Sequence, residues 1–292
     1  MIRFSKYLWL YAFISGLILV PGIYSLVRFG LQPSIDFTGG TLLELSFDKP
    51  VAPSILANVA QNQGMSVASF QQSGNNTFLL RIKPEGSEKV SGFERNVEAQ
   101  ASSAATILRN ETVGPVLGSE LLVKAFAAAI LAILCIFAYV AYAFKNIKFG
   151  ASAIVALIHD LLVVLSVFSL LGVWWGIEVD TLFVTAFLTT MSFSVHDTIV
   201  VFDRIREYRR RDDKSKFDEL ADRALTETMG RSLTNSFTII FMLLALILMG
   251  GETVRWFVVA LLVGTISGTY SSPFVATPIL LLWDRWERRK RS

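Results

Sequence analysis

Six long apolar runs are the feature that most restricts how this chain of 292 residues can fold. A helix needs about 20 apolar residues to cross the hydrocarbon core of a bilayer, which is about 30 Å thick. In lipid each backbone N–H and C=O must bond within its own segment, so runs of this kind form helices. The predicted spans are Tyr7–Val27, Leu121–Phe144, Phe149–Trp174, Thr181–Phe202, Ser232–Met249 and Val254–Trp283.

Composition agrees with a membrane protein and argues against other classes. Hydrophobic residues make up 53% of the chain, charged residues 17%, and the mean hydropathy is +0.52, which is too apolar for a soluble protein. The bases lie at the ends of the runs instead of in one stripe, so we expect membrane lipid and no nucleic acid as a partner. The single cysteine, Cys135, excludes an internal disulfide.

The charges of the connections predict the orientation of the spans. Basic residues are concentrated in Lys145–Lys148, in Arg204–Arg223 and in the tail Arg285–Arg291, whereas Trp174–Asp180 and Gly250–Glu252 carry only acidic charges. Cytoplasmic connections of membrane proteins are enriched in lysine and arginine. Both termini are therefore predicted to be cytoplasmic, and the segment 30–119 to lie on the opposite side.

The segment 30–119 has the pattern of a folded extracytoplasmic domain. Its order of strand, helix, strand, strand, helix and strand is typical of a ferredoxin-like α+β domain. The predicted elements are the strand Thr41–Phe47, the helix Val51–Gln63, the strands Ser66–Gln72 and Asn76–Lys83 around a Ser73–Asn75 turn, the helix Ser87–Leu108 and the strand Glu111–Val116. The other predicted divisions are 1–29 for the N-terminus and first span, 120–284 for five spans and 285–292 for a basic tail.

Ionisable residues inside the spans are the candidates for function. A charge near the centre of a span costs at least about 2.5–3.5 kcal/mol. His159 and Asp160 lie in the third span, His196 and Asp197 lie in the fourth, and Arg231 opens the fifth. An aspartate whose pKa is raised by burial and lowered by an approaching arginine can load and release a proton. We therefore predict a proton pathway through these residues, with Asp197 and Arg231 as a pair.

Purely structural interpretations of the same residues remain open. The histidines and aspartates can serve only to hydrogen-bond one helix to another, and Arg231 can be an interfacial base that extends toward water. The many serine and threonine residues in the spans are typical of close helix packing.

Enzymatic sites are poorly supported by the sequence, and we predict neither an enzyme nor a metal or cofactor. The two histidines are on different spans, and the chain has no Gly-x-Ser-x-Gly string, P-loop or dinucleotide fingerprint. An intramembrane aspartyl protease using Asp160 and Asp197 is a weak alternative, since neither lies in a Gly-x-Gly-Asp string.

Five strings of the sequence resemble the motifs of the SecD/SecF family of the RND superfamily. They follow the family's order along nearly the whole chain, and the fourth is the most specific. The strings are Asp36-Phe37-Thr38-Gly39-Gly40, Val113–Leu121 with Gly114 and Pro115, Ala156–Asp160, Ser194–Glu207, and Gly264–Pro273 with Gly268 and Tyr270. The short segment between the first two spans is typical of the SecF branch.

The resemblance implies an accessory subunit of the Sec protein translocase in the bacterial inner membrane. Such a subunit pairs with SecD, which also has six spans, to complete a twelve-helix unit. The pair uses the proton gradient to drive late steps of preprotein export through the SecYEG channel. Asp197 and Arg231 occupy the positions of the family's proton path, with Na⁺ as the alternative coupling ion.

His196 departs from the family, which usually has asparagine before the aspartate. Imidazole titrates near neutrality, whereas an amide can only hydrogen-bond. Two hypotheses follow: His196 shares the proton with Asp197, or it replaces the hydrogen bond of the amide. Two other functions also remain open at this point, a stand-alone RND-like proton-coupled exporter of lipids or small molecules and a purely structural assembly subunit.

Overall fold

The computed structural model describes residues 4–65, 67–72, 76–83, 87–101, 103–212 and 215–291. The contacts divide the chain into two compact units. We call them the helical unit, Met1–Gln32 with Ala127–Ser292, and the mixed unit, Pro33–Phe126.

The described residues form ten α-helices and four strands. In chain order they are α1 (Leu8–Phe29), α2 (Ile35–Thr38), β1 (Gly40–Phe47), α3 (Pro53–Asn62), β2 (Val67–Gln72), β3 (Thr77–Ile82), α4 (Ser87–Ala101), β4 (Ala105–Val113), α5 (Pro115–Phe144), α6 (Ile147–Trp175), α7 (Thr181–Arg211), α8 (Phe217–Met249), α9 (Glu252–Ser271) and α10 (Thr277–Arg291). A 3-10 turn, Phe4–Lys6, precedes α1, and a π-helical turn, Ser272–Ala276, joins α9 to α10.

Six helical segments of the described chain are long and apolar enough to cross a membrane. They are α1, α5, α6, α7, α8 and the continuous segment from α9 to α10. The prediction of six spans is confirmed, and the protein is a multi-pass membrane protein.

Two helices extend beyond the predicted spans. The fourth apolar run ends at Phe202, but α7 continues to Arg211, and α8 begins at Phe217, well before Arg231. Ion pairs between successive turns favour the helix past the apolar run, since Glu207 pairs with Arg204 and Arg211. Arg231 therefore lies inside a helix and does not open one.

The sixth span is interrupted where the sequence has proline. The π-helical turn Ser272–Ala276 contains Pro273, which lacks the N–H that a regular helix needs at that position. Upstream, two glycines bring α9 against α7. A Cβ atom added at Gly264 would lie 2.1 Å from Thr190 Cγ2, and one added at Gly268 would lie 3.0 Å from the Cα atom of Ser194.

The mixed unit contains one sheet in the order β2-β3-β1-β4, in which every neighbouring pair is antiparallel. Alternate residues of the sheet pack against α3 and α4, and the core includes Leu43, Leu45, Leu56, Phe78 and Phe93. The first three strands and the first helix lie where the sequence predicted them. The predicted turn Ser73–Asn75 lies outside the described residues.

The last helix and strand of the mixed unit differ from the prediction. The predicted helix continued to Leu108 and the strand began at Glu111, but α4 ends at Ala101 and β4 covers Ala105–Val113. Backbone pairing with β1 along the whole strand outweighs the helical preference of this segment. A side chain also marks the boundary, because Glu98 Oε1 accepts a hydrogen bond from the Ala105 N–H.

We expect Gly264→Ala to destabilise the helical unit. The added methyl group collides with Thr190, whose side chain is held by a hydrogen bond of 2.8 Å from its Oγ1 atom to the Phe187 carbonyl. Overpacking of this kind costs about 1–3 kcal/mol, which thermal unfolding of the full chain in detergent measures as a lower midpoint.

Gly16→Ala is the matched control, because a Cβ atom at Gly16 on α1 would have no neighbour within 4 Å. This variant is expected to unfold at or slightly above the midpoint of the parent protein, since alanine favours helix over glycine. Equal midpoints for the two variants would contradict the close contact between α7 and α9.

Candidate functional site

Asp160 is the centre of a polar cluster buried between three helices. It lies in the middle of α6 and is 2% exposed. Its carboxylate accepts hydrogen bonds from Ser194 on α7 at 2.6 Å and from Ser267 and Ser271 on α9 at 2.6 and 2.5 Å. We call these four residues together with His159 the Asp160 cluster.

His159 supplies the fourth contact of the carboxylate. Its Nδ1 atom lies 3.0 Å from Asp160 Oδ1, which fits an Nδ1–H that donates to the carboxylate. Among the described residues no group bonds to the buried Nε2 atom. Since buried polar atoms are normally paired, this nitrogen is a hydrogen-bond acceptor that has no partner in the described part of the chain, although it lies next to a carboxylate.

Asp197 forms a second, separate site between α7 and α8. Its side chain is 9% exposed, and it accepts a hydrogen bond of 2.7 Å from Ser232 Oγ on α8. The predicted partner, Arg231, is exposed and forms no ion pair in the part of the chain that the structure describes. Successive helical residues point about 100° apart, so Ser232 contacts Asp197 while its neighbour does not. The predicted Asp197–Arg231 pair is not formed in this structure.

Further hydroxyl groups join the same helices. Thr198 Oγ1 and Ser272 Oγ lie 3.0 Å apart between α7 and the π-helical turn, and Thr269 donates to Ser236 at 2.7 Å between α9 and α8. These pairs agree with the interpretation of the hydroxyl residues as packing groups. The sequence did not show which hydroxyls meet Asp160, because they come from two helices; the only signal was the i, i+4 spacing of Ser267 and Ser271.

A polar stripe lies on the outer surface of α7 and α8. It contains His196 and Arg231, both exposed, and the described residues give His196 no hydrogen bond. Its threonines satisfy their hydroxyls inside their own helix, as in the bond of 2.7 Å from Thr189 to the Thr185 carbonyl. We call this surface the polar face; it consists of Thr185, Thr189, Ser192 and His196 on α7 and Arg231, Thr234, Asn235 and Thr238 on α8.

The first family motif forms a turn in the mixed unit. Ser34 accepts a hydrogen bond from the Asp36 N–H at the start of α2, and the helix leads into Gly39 and Gly40. These glycines have φ of 71° and 141°, values that favour glycine. A Cβ atom at Gly40 would also lie 3.0 Å from the Ile82 carbonyl oxygen. The motif is therefore needed for the connection between α2 and β1.

The remaining motif residues lie at helix starts and contacts. Gly114 follows β4, and Pro115 is the first residue of α5, where its fixed φ suits a helix start. Tyr270 Oη donates to the Tyr11 carbonyl at 3.1 Å, and its ring lies 6.1 Å from that of His159. Tyr270 thus connects α1 to the Asp160 cluster.

The fold and the site define a multi-pass membrane protein with carboxylates buried between its spans, which is a pattern typical of ion pathways. Among the described residues no three His, Cys, Asp or Glu side chains are grouped to hold a metal ion. The sequence model for the protein export membrane protein SecD/SecF, C-terminal, matches residues 93–286, and that for the SecD/SecF GG motif matches residues 24–51. The chain belongs to the SecD/SecF family.

Curated relatives and solved structures agree with this assignment. Protein translocase subunit SecF of Thermobaculum terrenum is 41% identical over 94% of this chain and 92% of its own length, and that of Vibrio alginolyticus is 35% identical over 96% and 88%. The crystal structure of SecDF, a translocon-associated membrane protein from Thermus thermophilus, superposes with a TM-score of 0.86 at 31% identity. The match covers 97% of this chain but spans only 39% of the SecDF chain.

Asp160→Asn is expected to destabilise the helical unit. Each carboxylate oxygen faces two donors, His159 and Ser267 at Oδ1 and Ser194 and Ser271 at Oδ2. An amide replaces one of these acceptors with an NH₂ donor, so hydroxyl groups that face it must turn to accept and give up the bonds that they donate to Asp160; each lost hydrogen bond costs about 0.5–1.5 kcal/mol. Thermal unfolding of the full chain in detergent measures the loss.

Asp203→Asn is the matched control on α7, because the Asp203 side chain is 65% exposed. Its unfolding midpoint is expected to stay within experimental error of the parent protein. If Asp160→Asn unfolds at the same temperature as this control, the four contacts do not stabilise the bundle.

Proposed function

We propose that this chain is an accessory subunit of the Sec protein translocase that, with SecD, uses an ion gradient to drive late steps of preprotein export through SecYEG. The names of its relatives, Protein translocase subunit SecF, support the role in the translocase. The use of a gradient is supported by the two buried carboxylates, Asp160 and Asp197.

The observation that carries the proposal is the kind of partner that these carboxylates have. Asp160 is bonded by three hydroxyl groups and an imidazole, and Asp197 is bonded by a single hydroxyl. A hydroxyl group donates to a carboxylate and accepts from a carboxylic acid by rotating about one bond. Both protonation states can therefore be satisfied without moving a helix backbone, whereas an arginine partner would favour the charged state alone.

His159 adds one acceptor of protons, its Nε2 atom, to the proposed proton path. Its Nε2 atom is buried without a partner in the described chain, next to the ring of Tyr270. A proton taken up there would be compensated by Asp160 on the other ring nitrogen. The proposed coupling ion is the proton; Na⁺ is the alternative that the experiment below distinguishes.

The polar face supports SecD as the partner. An arginine or asparagine side chain that faces lipid is costly, and the cost is largest at the centre of a span. Arg231, Asn235 and His196 are exposed on this face. A second bundle of helices would cover them, and this chain spans only 39% of the SecDF chain. A stand-alone exporter would leave these groups in lipid.

The proposed orientation puts both termini in the cytoplasm of a bacterium and the chain in its inner membrane. The support is the concentration of lysine and arginine in Lys145–Lys148, in Arg204–Arg223 and in the C-terminal tail. The mixed unit would then be extracytoplasmic. Its sheet order, β2-β3-β1-β4 with two helices in the connections, supports a ferredoxin-like domain within 30–119.

The geometry gives no support to an aspartyl protease. Such an enzyme needs two carboxylates that share a proton. Asp160 and Asp197 have separate sets of partners. Asp160 on α6 is bonded by residues of α7 and α9, whereas Asp197 on α7 is bonded by a residue of α8.

Asp197→Asn is expected to reduce preprotein export in membrane vesicles to the level measured without an ion gradient, because the amide cannot carry a proton. The parent protein should lose the same share of export when a protonophore collapses the proton gradient, and none when the sodium gradient alone is collapsed. The opposite response to the two treatments would identify Na⁺ as the coupling ion.

Asp203→Asn, an exposed aspartate on the same helix, is the control and should leave export unchanged. Full export by Asp197→Asn in the presence of a gradient would refute ion coupling through this residue. It would leave the purely structural role in the translocase as the explanation.

The polar face is expected to be needed for association with SecD. Arg231→Leu combined with Asn235→Leu makes α8 more soluble in lipid and removes its polar contacts with the partner. We expect the amount of SecD that co-purifies with the double variant to fall several-fold.

The control is Phe241→Leu with Leu248→Ala, which changes two exposed apolar residues of the same helix and should leave co-purification unchanged. Equal recovery of SecD with both double variants would show that the polar face is not the contact.

A further inference from the structure

A basic cavity opens at the end of the helical unit where α5 ends and α6 begins. Its volume is about 330 Å³. It is lined by two carboxylates, Asp284 and Glu287, and by five cationic side chains, an excess of three positive charges. The cations are Lys145, Lys148, Arg206, Arg209 and Arg288.

The two carboxylates of the cavity are already in ion pairs with the bases at its bottom. Lys148 is 4% exposed, and its Nζ atom lies 2.9 Å from Asp284 Oδ1 and 3.2 Å from Glu287 Oε2. The buried Asp284 also faces Arg288 at 2.6 Å and Arg209 at 3.6 Å. One carboxylate thus has three cationic neighbours, so the two carboxylates leave the cavity cationic. A partly buried excess of like charges favours binding of an anion.

The cations are held in place at the rim. Arg206 donates to the Ala143 carbonyl at 2.8 Å, and its guanidinium lies over the ring of Phe144 at 5.2 Å. It also lies 3.6 Å from Asp203, an exposed carboxylate that does not line the cavity. Arg209 lies in the same way over the ring of Phe217. Lys145 is exposed in the turn between α5 and α6 and has no ion pair among the residues that the structure describes. Guanidinium groups fixed in this way suit the oxygens of a phosphate.

The surface beside the cavity suits the rest of a lipid. Tyr139 and Tyr142 are 63% and 85% exposed in the last turns of α5, and tyrosines at the end of a span lie at the level of lipid headgroups. Farther along α5 the exposed residues are apolar, including Ile130, Leu131 and Leu134. A phosphate in the cavity would thus be at headgroup depth, with an apolar helix face beside it for acyl chains.

We infer that the cavity binds the phosphate of an anionic glycerophospholipid, such as phosphatidylglycerol or cardiolipin. The three excess positive charges can balance the single negative charge of phosphatidylglycerol or the two negative charges of cardiolipin. Basic pockets between spans at the cytoplasmic surface are suited to such headgroups. This site is separate from the Asp160 cluster and from Asp197, and the inference does not depend on ion coupling.

Native mass spectrometry of the full-length chain in detergent tests the inference. The chain is titrated with phosphatidylglycerol, cardiolipin or phosphatidylcholine of the same acyl length, and with glycerol phosphate as a headgroup without chains. We expect retention of the two anionic lipids and little of the zwitterionic one. Lys145→Gln with Arg209→Gln should weaken anionic binding about 30-fold, the loss expected for two bases near an anionic lipid.

The control for charge is Arg210→Gln with Lys216→Gln, two exposed bases that do not line the cavity; its lipid affinity should equal that of the parent. Glu287→Gln removes an anion from the cavity and should tighten anionic binding, a gain that misfolding cannot produce. Equal losses in both double variants, or no gain with Glu287→Gln, would overturn the site.

Two other outcomes would reassign the cavity. If glycerol phosphate displaces the lipid at concentrations equal to those of the lipid itself, the ligand is a free phosphate compound and the lipid assignment is wrong. If the cavity variant keeps its lipid but loses a co-purifying subunit, the cavity is a protein contact and the inference is overturned.

Discussion

The absence of water in the hydrocarbon core of a bilayer is the constraint on which the rest of this structure depends. Every polar group placed at that depth must find its partners inside the protein. Asp160 has the most complete set, because four donors from α6, α7 and α9 surround its two oxygens. The donors on α7 and α9 both reach Asp160 because Gly264 and Gly268 let α9 approach α7 closely. The small residues of the last span and the buried carboxylate are thus parts of one arrangement.

The same constraint identifies the surface that needs a partner. Inside the helical unit Asp197 is bonded by Ser232, and Lys148 at the start of α6 is paired with Asp284. On the polar face, by contrast, Arg231 and His196 are exposed on helices that span the membrane. A polar group that its own chain does not satisfy is costly in lipid, so the face is accounted for by a second set of helices in the proposed complex.

The spans and the buried carboxylates could be predicted from the sequence, because lipid imposes a strong pattern of hydrophobicity on a chain. Long apolar runs gave all six spans, and the rarity of charge within them selected Asp160 and Asp197. The direction of a side chain around its helix was harder to predict. The prediction paired Arg231 with Asp197 because it is the cation available at the start of the fifth span, but the neighbouring Ser232 makes the contact. The boundary between α4 and β4 was also missed, since the pairing of β4 with β1 is a long-range interaction that local preference does not contain.

The distribution of the hydroxyl partners shows how protonation would act in the proposed function. Of the three serines on Asp160, Ser267 and Ser271 belong to α9 and only Ser194 to α7. Directly after Ser271 the helix changes to the π-helical turn Ser272–Ala276, where Pro273 removes a backbone donor. A change in the charge of Asp160 is therefore met mainly by hydroxyl groups of α9, which turn about one bond, next to the point where the backbone ladder of α9 is weakest. The contact of α9 with α7 is close, since the Thr190 side chain lies directly over Gly264 and the Ser194 backbone over Gly268, so α9 is held at its glycines and becomes irregular only after Ser271. The proposed proton site therefore lies directly beside the irregular part of the last span.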